Sequence, residues 1–143
     1  GCKATIKAFM LYRTYHGSAM PNHHQAASIV AWDDESHVQQ NRVLYREKMQ
    51  AVVPILQQVM SVDIPAAGFC LWAKLPIDDE RFAQTLYRDQ HVKVLPGQYL
   101  ARTVDGYNPG VGYSRLALVH SLEVCIEAAE RIVTCVSELN RVE

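Results

Sequence analysis

Arg115 stands in the stretch GVGYSRLALVH, residues 110–120, at the head of an apolar run. A cation there is costly to desolvate unless an anion meets it. The planar guanidinium matches a carboxylate through two parallel hydrogen bonds, and a strand end holds that fork more rigidly than a loop does. Gly110 and Gly112, just ahead of it, leave room for a ligand. The competing reading is an ion pair with a nearby Asp or Glu, and spacing alone favours it.

Other chemistry-bearing residues carry less. GVGYS fits the opening of a dinucleotide fingerprint, which needs a strand before it and a helix after it. Here a loop precedes and a strand follows. His16, His23 and His24 invite a metal reading. Adjacent histidines on a helix point about 100° apart, and no carboxylate stands at ligand spacing. The residues therefore indicate no metal site. Ser18, Ser28 and Ser61 lack a nucleophile context. The acidic runs at Asp33 and Asp78 read as helix starts, and ARTVDG lacks the acidic ladder of a calcium loop. Cys2, Cys70, Cys125 and Cys135 form no C-x-x-C pair and read as reduced, mostly packed thiols, which suits the cytoplasm. Cys125 and Cys135 are ten residues apart on a predicted helix, a spacing that does not return to one face. On residues alone the chain holds one candidate anion site and no catalytic machinery.

The elements around that site follow from periodicity. Ile6, Phe9, Met10 and Arg13 predict a helix over 3–15, stopped at His16-Gly17. A second, short helix runs from Asn22 to Trp32. Val38, Tyr45, Val52 and Val59 repeat every seven residues, with Met49 and Leu56 between them. They predict a long amphipathic helix over 36–60, capped by Asp33 or Asp34 and kinked or broken at Pro54. Phe69 to Leu75 reads as a strand between Gly68 and Pro76. Asp78 caps a helix, and Ile77 with Phe82 has the spacing of a hydrophobic staple. HVKVLPG is a short strand, and Ser114 to Val119 is another. Ser121 caps a last helix whose buried stripe is Leu122, Ile126, Ala129, Val133 and Val136. The order predicts an α+β fold: a small, mainly antiparallel sheet of about three strands packed with helices, preceded by a long connecting helix.

Composition narrows the function classes. The chain has 143 residues, 49% of them hydrophobic, enough for one ordinary domain with a core. Fourteen Lys and Arg face 15 Asp and Glu, leaving a net charge of −1. There is no basic surplus for a nucleic acid. No apolar run approaches the roughly 18 residues of a membrane span, and no signal-peptide pattern opens the chain.

Several stretches, in order, carry a wider resemblance: YRTYHGSAMPNHHQAASIVAW, AAGFCLWAKLP, VKVLPGQYLAR and NPGVGYSRLALVHSLE. Together they resemble the C-terminal part of class I/II aminotransferases, enzymes of fold type I that use pyridoxal phosphate. Within the family, YRTYHG and LPGQYLAR are most similar to the succinyldiaminopimelate aminotransferases of lysine biosynthesis.

The resemblance implies roles. An arginine in an R-[LIV]-[AS] setting grips the substrate's α-carboxylate in this family, and SRLAL puts that role on Arg115. Gly68, Phe69, Gly97 and Tyr99 would line the substrate cleft. His16, Gly17 and Ser18 would lie at a dimer interface near the partner subunit's cofactor. The family's Schiff-base lysine lies in an S-x-x-K context that none of Lys3, Lys7, Lys48, Lys74 and Lys93 has. The resemblance thus implies three parts: residues 1–35 as the tail of a large cofactor-binding domain, 36–60 as a connecting helix, and 61–143 as a small C-terminal domain. The parent would be a homodimeric enzyme acting on amino acids and 2-oxo acids. This chain alone would hold no pyridoxal phosphate and would not transaminate. Another acidic substrate, or a free-standing interaction domain without catalysis, is the alternative.

Overall fold

The structure is a computed structural model that describes residues 1–17 and 19–141. The chain divides into two compact units, residues 1–39 and 40–143.

The first unit contains α1 (Lys3–Tyr15), α2 (Asn22–Asp33) and the opening turn of α3 (Ser36–Leu56). Both short helices lie where the sequence places them. α1 ends as His16 donates its backbone N–H to the Tyr12 carbonyl while its ring stacks on Tyr12 at 4.6 Å. Gly17 follows with φ +83°, which a residue bearing a Cβ rarely adopts. Neither α1 nor α2 has a side-chain N-cap hydrogen bond, and none of their residues is buried. At the start of α3, the Asp34 carboxylate accepts the Ser36 N–H at 3.0 Å and also the Ser36 hydroxyl. His37 reaches its second oxygen at 3.2 Å. Glu35 occupies the cap position of α3, and of the two expected caps Asp34 satisfies the first N–H of the helix from one residue outside it.

The second unit is built on the rest of α3, which buries Met49, Val52, Val53 and Leu56. The helix stops at Leu56, not at 60. Pro54 has no N–H to give the preceding turn, and only two more helical residues follow it. Residues 58 and 59 then make tighter turns onto the Ile55 and Leu56 carbonyls.

A three-stranded antiparallel sheet follows, in the order β1 (Cys70–Lys74), β3 (Tyr113–Ala117), β2 (Leu95–Pro96). β2 is shorter than expected: HVKV at 91–94 lies outside the ladder and only two residues pair. Pro96 cannot donate, and an edge position tolerates that. α4 (Asp79–Gln90) joins β1 to β2, and α5 (Leu122–Leu139) closes the chain. Asp78 caps α4 by accepting the Arg81 N–H at 2.8 Å, with Ile77 and Phe82 buried as the staple predicts. His91 ends α4 in the left-handed region at φ +56°.

Leu71, Ala73, Ser114 and Leu116 form the sheet's buried face, over a core with Leu56, Phe82 and Leu86 at its centre. Ser121 caps α5 as expected, accepting the Val124 N–H. The stripe of α5 is displaced from expectation. Its buried residues are Cys125, Ala129, Ile132, Cys135, Val136 and Leu139, while Leu122, Ile126 and Val133 are half-buried at its margin. Both cysteines lie inside it, because a stripe at least 100° wide spans the roughly 80° between them. The expectation that all four cysteines are mostly packed holds for these two. Cys2 is exposed and Cys70 half-buried, and all four thiols are free. Among the described residues, no helix is long and apolar enough to cross a membrane.

Candidate carboxylate-binding face

The alternation of β3 aims Ser114 and Leu116 into the core and Arg115 out of it. Arg115 lies directly opposite Trp72 on β1 and Leu95 on β2, so the three form one row across the open face of the sheet. Among the described residues no carboxylate lies within ion-pair distance of its guanidinium. The ion pair that spacing favoured is therefore not formed within the described chain. Trp72, 44% exposed, stacks flat on Tyr113 at 5.5 Å and 9°, making an aromatic wall beside the cation.

A buried carboxylate organises the approach to this strand. Asp79, the first residue of α4, is fully buried. It accepts the Gln98 N–H, the Gln98 side-chain amide and the Gly112 N–H, each at 3.1 Å. Asn108 extends the net, donating to the Gln98 carbonyl at 3.1 Å and accepting the Gly110 N–H at 2.9 Å. Three amide donors and the N-terminal dipole of α4 offset the cost of burying that charge. The net fixes the turn at 97–99 against the loop at 110–112, three residues before Arg115.

Gly97 and Gly110 cross at close range. A Cβ on Gly97 would sit 2.3 Å from the Gly110 carbonyl oxygen and 2.9 Å from Cη2 of Trp72, and one on Gly110 would sit 2.1 Å from the Gly97 oxygen. Gly97 is thus the floor beneath the indole of Trp72. Ser114 ties the edge below by donating to the Leu95 carbonyl at 3.3 Å.

The other expected site residues turn elsewhere. Gly68 opens β1 at φ +93°, and Phe69 leans on the Tyr45 ring at 5.9 Å. Tyr99 meets Glu80 through its hydroxyl, a contact that raises the phenol's pKa, and it borders a shallow groove with Tyr87 and Pro96. His16 and Gly17 belong to the first unit, and Ser18 lies outside the described residues. No group of three metal-ligating side chains comes together among the described residues. Trp72, Asp79, Gln98 and Asn108 were not anticipated. For Trp72 a signal existed: pairing CLWAK against YSRLA puts it beside Arg115. For Asp79 the second acid of the DDE run looked like helix-start charge and nothing more.

Comparison with known proteins shows what the chain as a whole is similar to. No family model matches the chain. An LL-diaminopimelate aminotransferase of Nitratidesulfovibrio vulgaris is 32% identical over 114 residues, which is 76% of this chain and 28% of that protein. An aminotransferase of Neisseria meningitidis, known as a crystal structure, is 54% identical with a TM-score of 0.82, over 90% of this chain and 33% of its own. A probable N-succinyldiaminopimelate aminotransferase of Thermus thermophilus is 33% identical with a TM-score of 0.62, over 72% of this chain and 27% of its own. The chain thus spans about a third of the relatives it matches. All three of these similar proteins are aminotransferases by name, and the α+β fold of this chain is shared with the two of known structure.

Proposed function

We propose that this chain is the substrate-carboxylate-binding part of a pyridoxal phosphate-dependent aminotransferase that moves an amino group between N-succinyl-diaminopimelate and 2-oxoglutarate. The observation that carries the reading is Arg115, an exposed guanidinium without an anionic partner among the described residues, held on a rigid strand in a chain whose relatives are aminotransferases. The diaminopimelate in two relatives' names supports the substrate class.

A bidentate pair with Arg115 fixes the acid end of the substrate in position and in plane. Trp72 limits the side from which the rest of the molecule can approach. The Asp79 net holds the loop that enters β3, so the guanidinium does not drift when the ligand leaves.

Bound in such an enzyme, pyridoxal phosphate supplies an electron sink for amino-group transfer. The lysines described in this chain do not build a cradle for it. Lys48 donates to the Leu118 carbonyl at 3.2 Å and lies over the Tyr45 ring. Lys3, Lys7, Lys74 and Lys93 are exposed, and no described lysine is ion-paired with a carboxylate. In this reading the chain alone does not transaminate, and the cofactor-holding residues belong to another part of the enzyme; the lack of an S-x-x-K context around any of its five lysines supports it. A homodimer in the cytoplasm, with His16 to Ser18 near the partner's cofactor, completes the reading.

The test is a chimera in which this chain replaces the matching third of the Neisseria meningitidis aminotransferase. Transamination of N-succinyl-diaminopimelate with 2-oxoglutarate is expected. Arg115→Ala should raise KM by about tenfold or more with the fold unchanged, since the clamp serves the ground state and the transition state alike. Unchanged kinetics would remove Arg115 from the site. Preference for another acidic amino acid would keep the clamp and replace the substrate. A folded chimera inactive on every acid would leave the non-catalytic interaction domain.

A further inference from the structure

On the other side of the sheet lies a second cavity, within the second unit and about 340 Å³ in volume. That is large enough for a small organic ligand. Its floor is core surface: Leu56, Leu116, Leu118, Ala129 and Ile132, all buried. Its roof is Val92 and Val94, in the stretch that leaves α4 and does not join the sheet. The left-handed turn at His91 lifts this stretch off α4, and pairing with β3 begins only at Leu95.

The rim is unevenly charged. His91, Lys93 and His120 line it and are exposed. Lys93 has no carboxylate within ion-pair distance among the described residues. The one acid on the rim, Glu127, is already bound by Arg131 at 2.5 Å, and Arg131 also donates to the Gln90 carbonyl at 3.1 Å. An apolar chamber with a free ammonium at its mouth suits a molecule with an apolar body and a single negative end.

We propose that this cavity binds a small apolar monocarboxylate, its hydrocarbon part between Val92, Val94 and Ile132 and its carboxylate at Lys93. The site uses none of the residues assigned to the Arg115 face, so it stands or falls independently of the aminotransferase reading.

The test titrates the purified chain with sodium octanoate and follows its side-chain methyl groups by NMR. Saturable shifts confined to Val92, Val94, Leu116, Leu118 and Ile132 are expected. 1-Octanol, with the same body and no charge, should bind about tenfold more weakly, the scale of one charge-assisted contact. Lys93→Gln, at an exposed position, should bring octanoate down to the level of octanol. Ala128→Leu, at the half-buried margin of the cavity, should abolish binding of both. Four outcomes would overturn the proposal: shifts spread over the exposed apolar side chains of α1 and α2, equal affinity for acid and alcohol, no saturable binding, or displacement of octanoate by self-association, which would give the cavity to a second copy.

Discussion

α2 and α4 are both twelve-residue helices, and they differ in almost everything that stabilises a helix. α4 has a side-chain N-cap at Asp78, two acids in its first turn, Arg88 in its last, and Phe82 and Leu86 in the core. α2 has Pro21 at its N-cap position and so no side-chain cap, carries no charge of the favourable sign at either end, and buries nothing. The same contrast separates the units they belong to. Phe9, Trp32 and Tyr15 in the first unit are more than half exposed, at 56%, 82% and 79%. Isolated helices of this length are marginal in water, and most helical stability comes from packing an apolar face. A readable period places a helix in the chain, and a partner surface decides what that helix contributes.

The largest expected effect tests that contrast directly. Phe82→Ala should cost about 3–5 kcal/mol, because it empties a fully buried site at the centre of the core. Phe9→Ala should stay within about 0.5 kcal/mol, as exposed substitutions do. Urea unfolding of the two variants reads both values. Comparable losses would mean that the first unit is as tightly packed as the second, and the contrast would fail.

Next in size is the glycine crossing. Gly110→Ala places a methyl group against the Gly97 carbonyl, and a backbone atom cannot swing aside as a side chain can. A cost of about 1–3 kcal/mol is expected, the range for forcing extra atoms into packed space. The lowered thermal midpoint should come with altered near-ultraviolet dichroism, since Trp72 rests on the same crossing. A Gly110→Ala variant with wild-type stability would show that the loop at 110–112 is free to shift, and the Asp79 net would then not fix the entry to β3.

How much of this was legible in advance depends on the range of the interaction. Caps and staples are local, so Asp78, Ser121 and the Ile77–Phe82 pair could be read from adjacent residues. The sequence puts Arg115 at the head of an apolar run, and its outward aim is seen in the structure, where alternation along β3 sets it between buried Ser114 and Leu116. The expected stripe of α5 shares Ala129 and Val136 with the observed one and passes over Cys125, Ile132, Cys135 and Leu139, because the face that is buried is chosen by the sheet and α4 it packs on and not by the helix's own period. The start of β2 lies at Leu95 and not at His91 because strand pairing is set by the partner strand, and nothing in HVKV reports where β3 offers it partners. Asp79, Gln98, Asn108 and Gly112 meet across separations of up to 33 residues, and no local pattern announces such a net.

The capping contrast predicts a smaller effect. Asp78→Ala should cost about 1 kcal/mol, the usual value for a cap that accepts a backbone N–H. Pro21→Ala, where no side-chain bond exists, should stay within about 0.5 kcal/mol. Chemical denaturation of the pair checks this, and equal losses would show that Asp78 contributes through something other than its bond to the Arg81 N–H.

The thiols give the last and smallest effect, and it separates the two units by chemistry. Burial pushes the Cys125 and Cys135 thiols above their ordinary value, with Lys48 opposing at Cys125 and the Asp89 and Glu138 charges adding at Cys135. The unfolded chain therefore releases these protons first as pH rises. The stabilising contribution is fully present below the unfolded thiol pKa of about 8.5 and is lost as pH climbs towards the raised folded values. Cys2 goes the other way: the N–H groups of Thr5 and Ala4 at the start of α1 and the Thr5 hydroxyl lower its pKa, and it is fully exposed. Iodoacetamide near neutral pH should label Cys2 first and spare Cys125 and Cys135 until the second unit opens. Urea curves between about pH 7 and pH 10 should show stability level at first and then falling. If stability rose across that window, or if Cys125 and Cys135 reacted as fast as Cys2 in the folded chain, the α5 face would be open to water, and the difference between the two units would be one of degree.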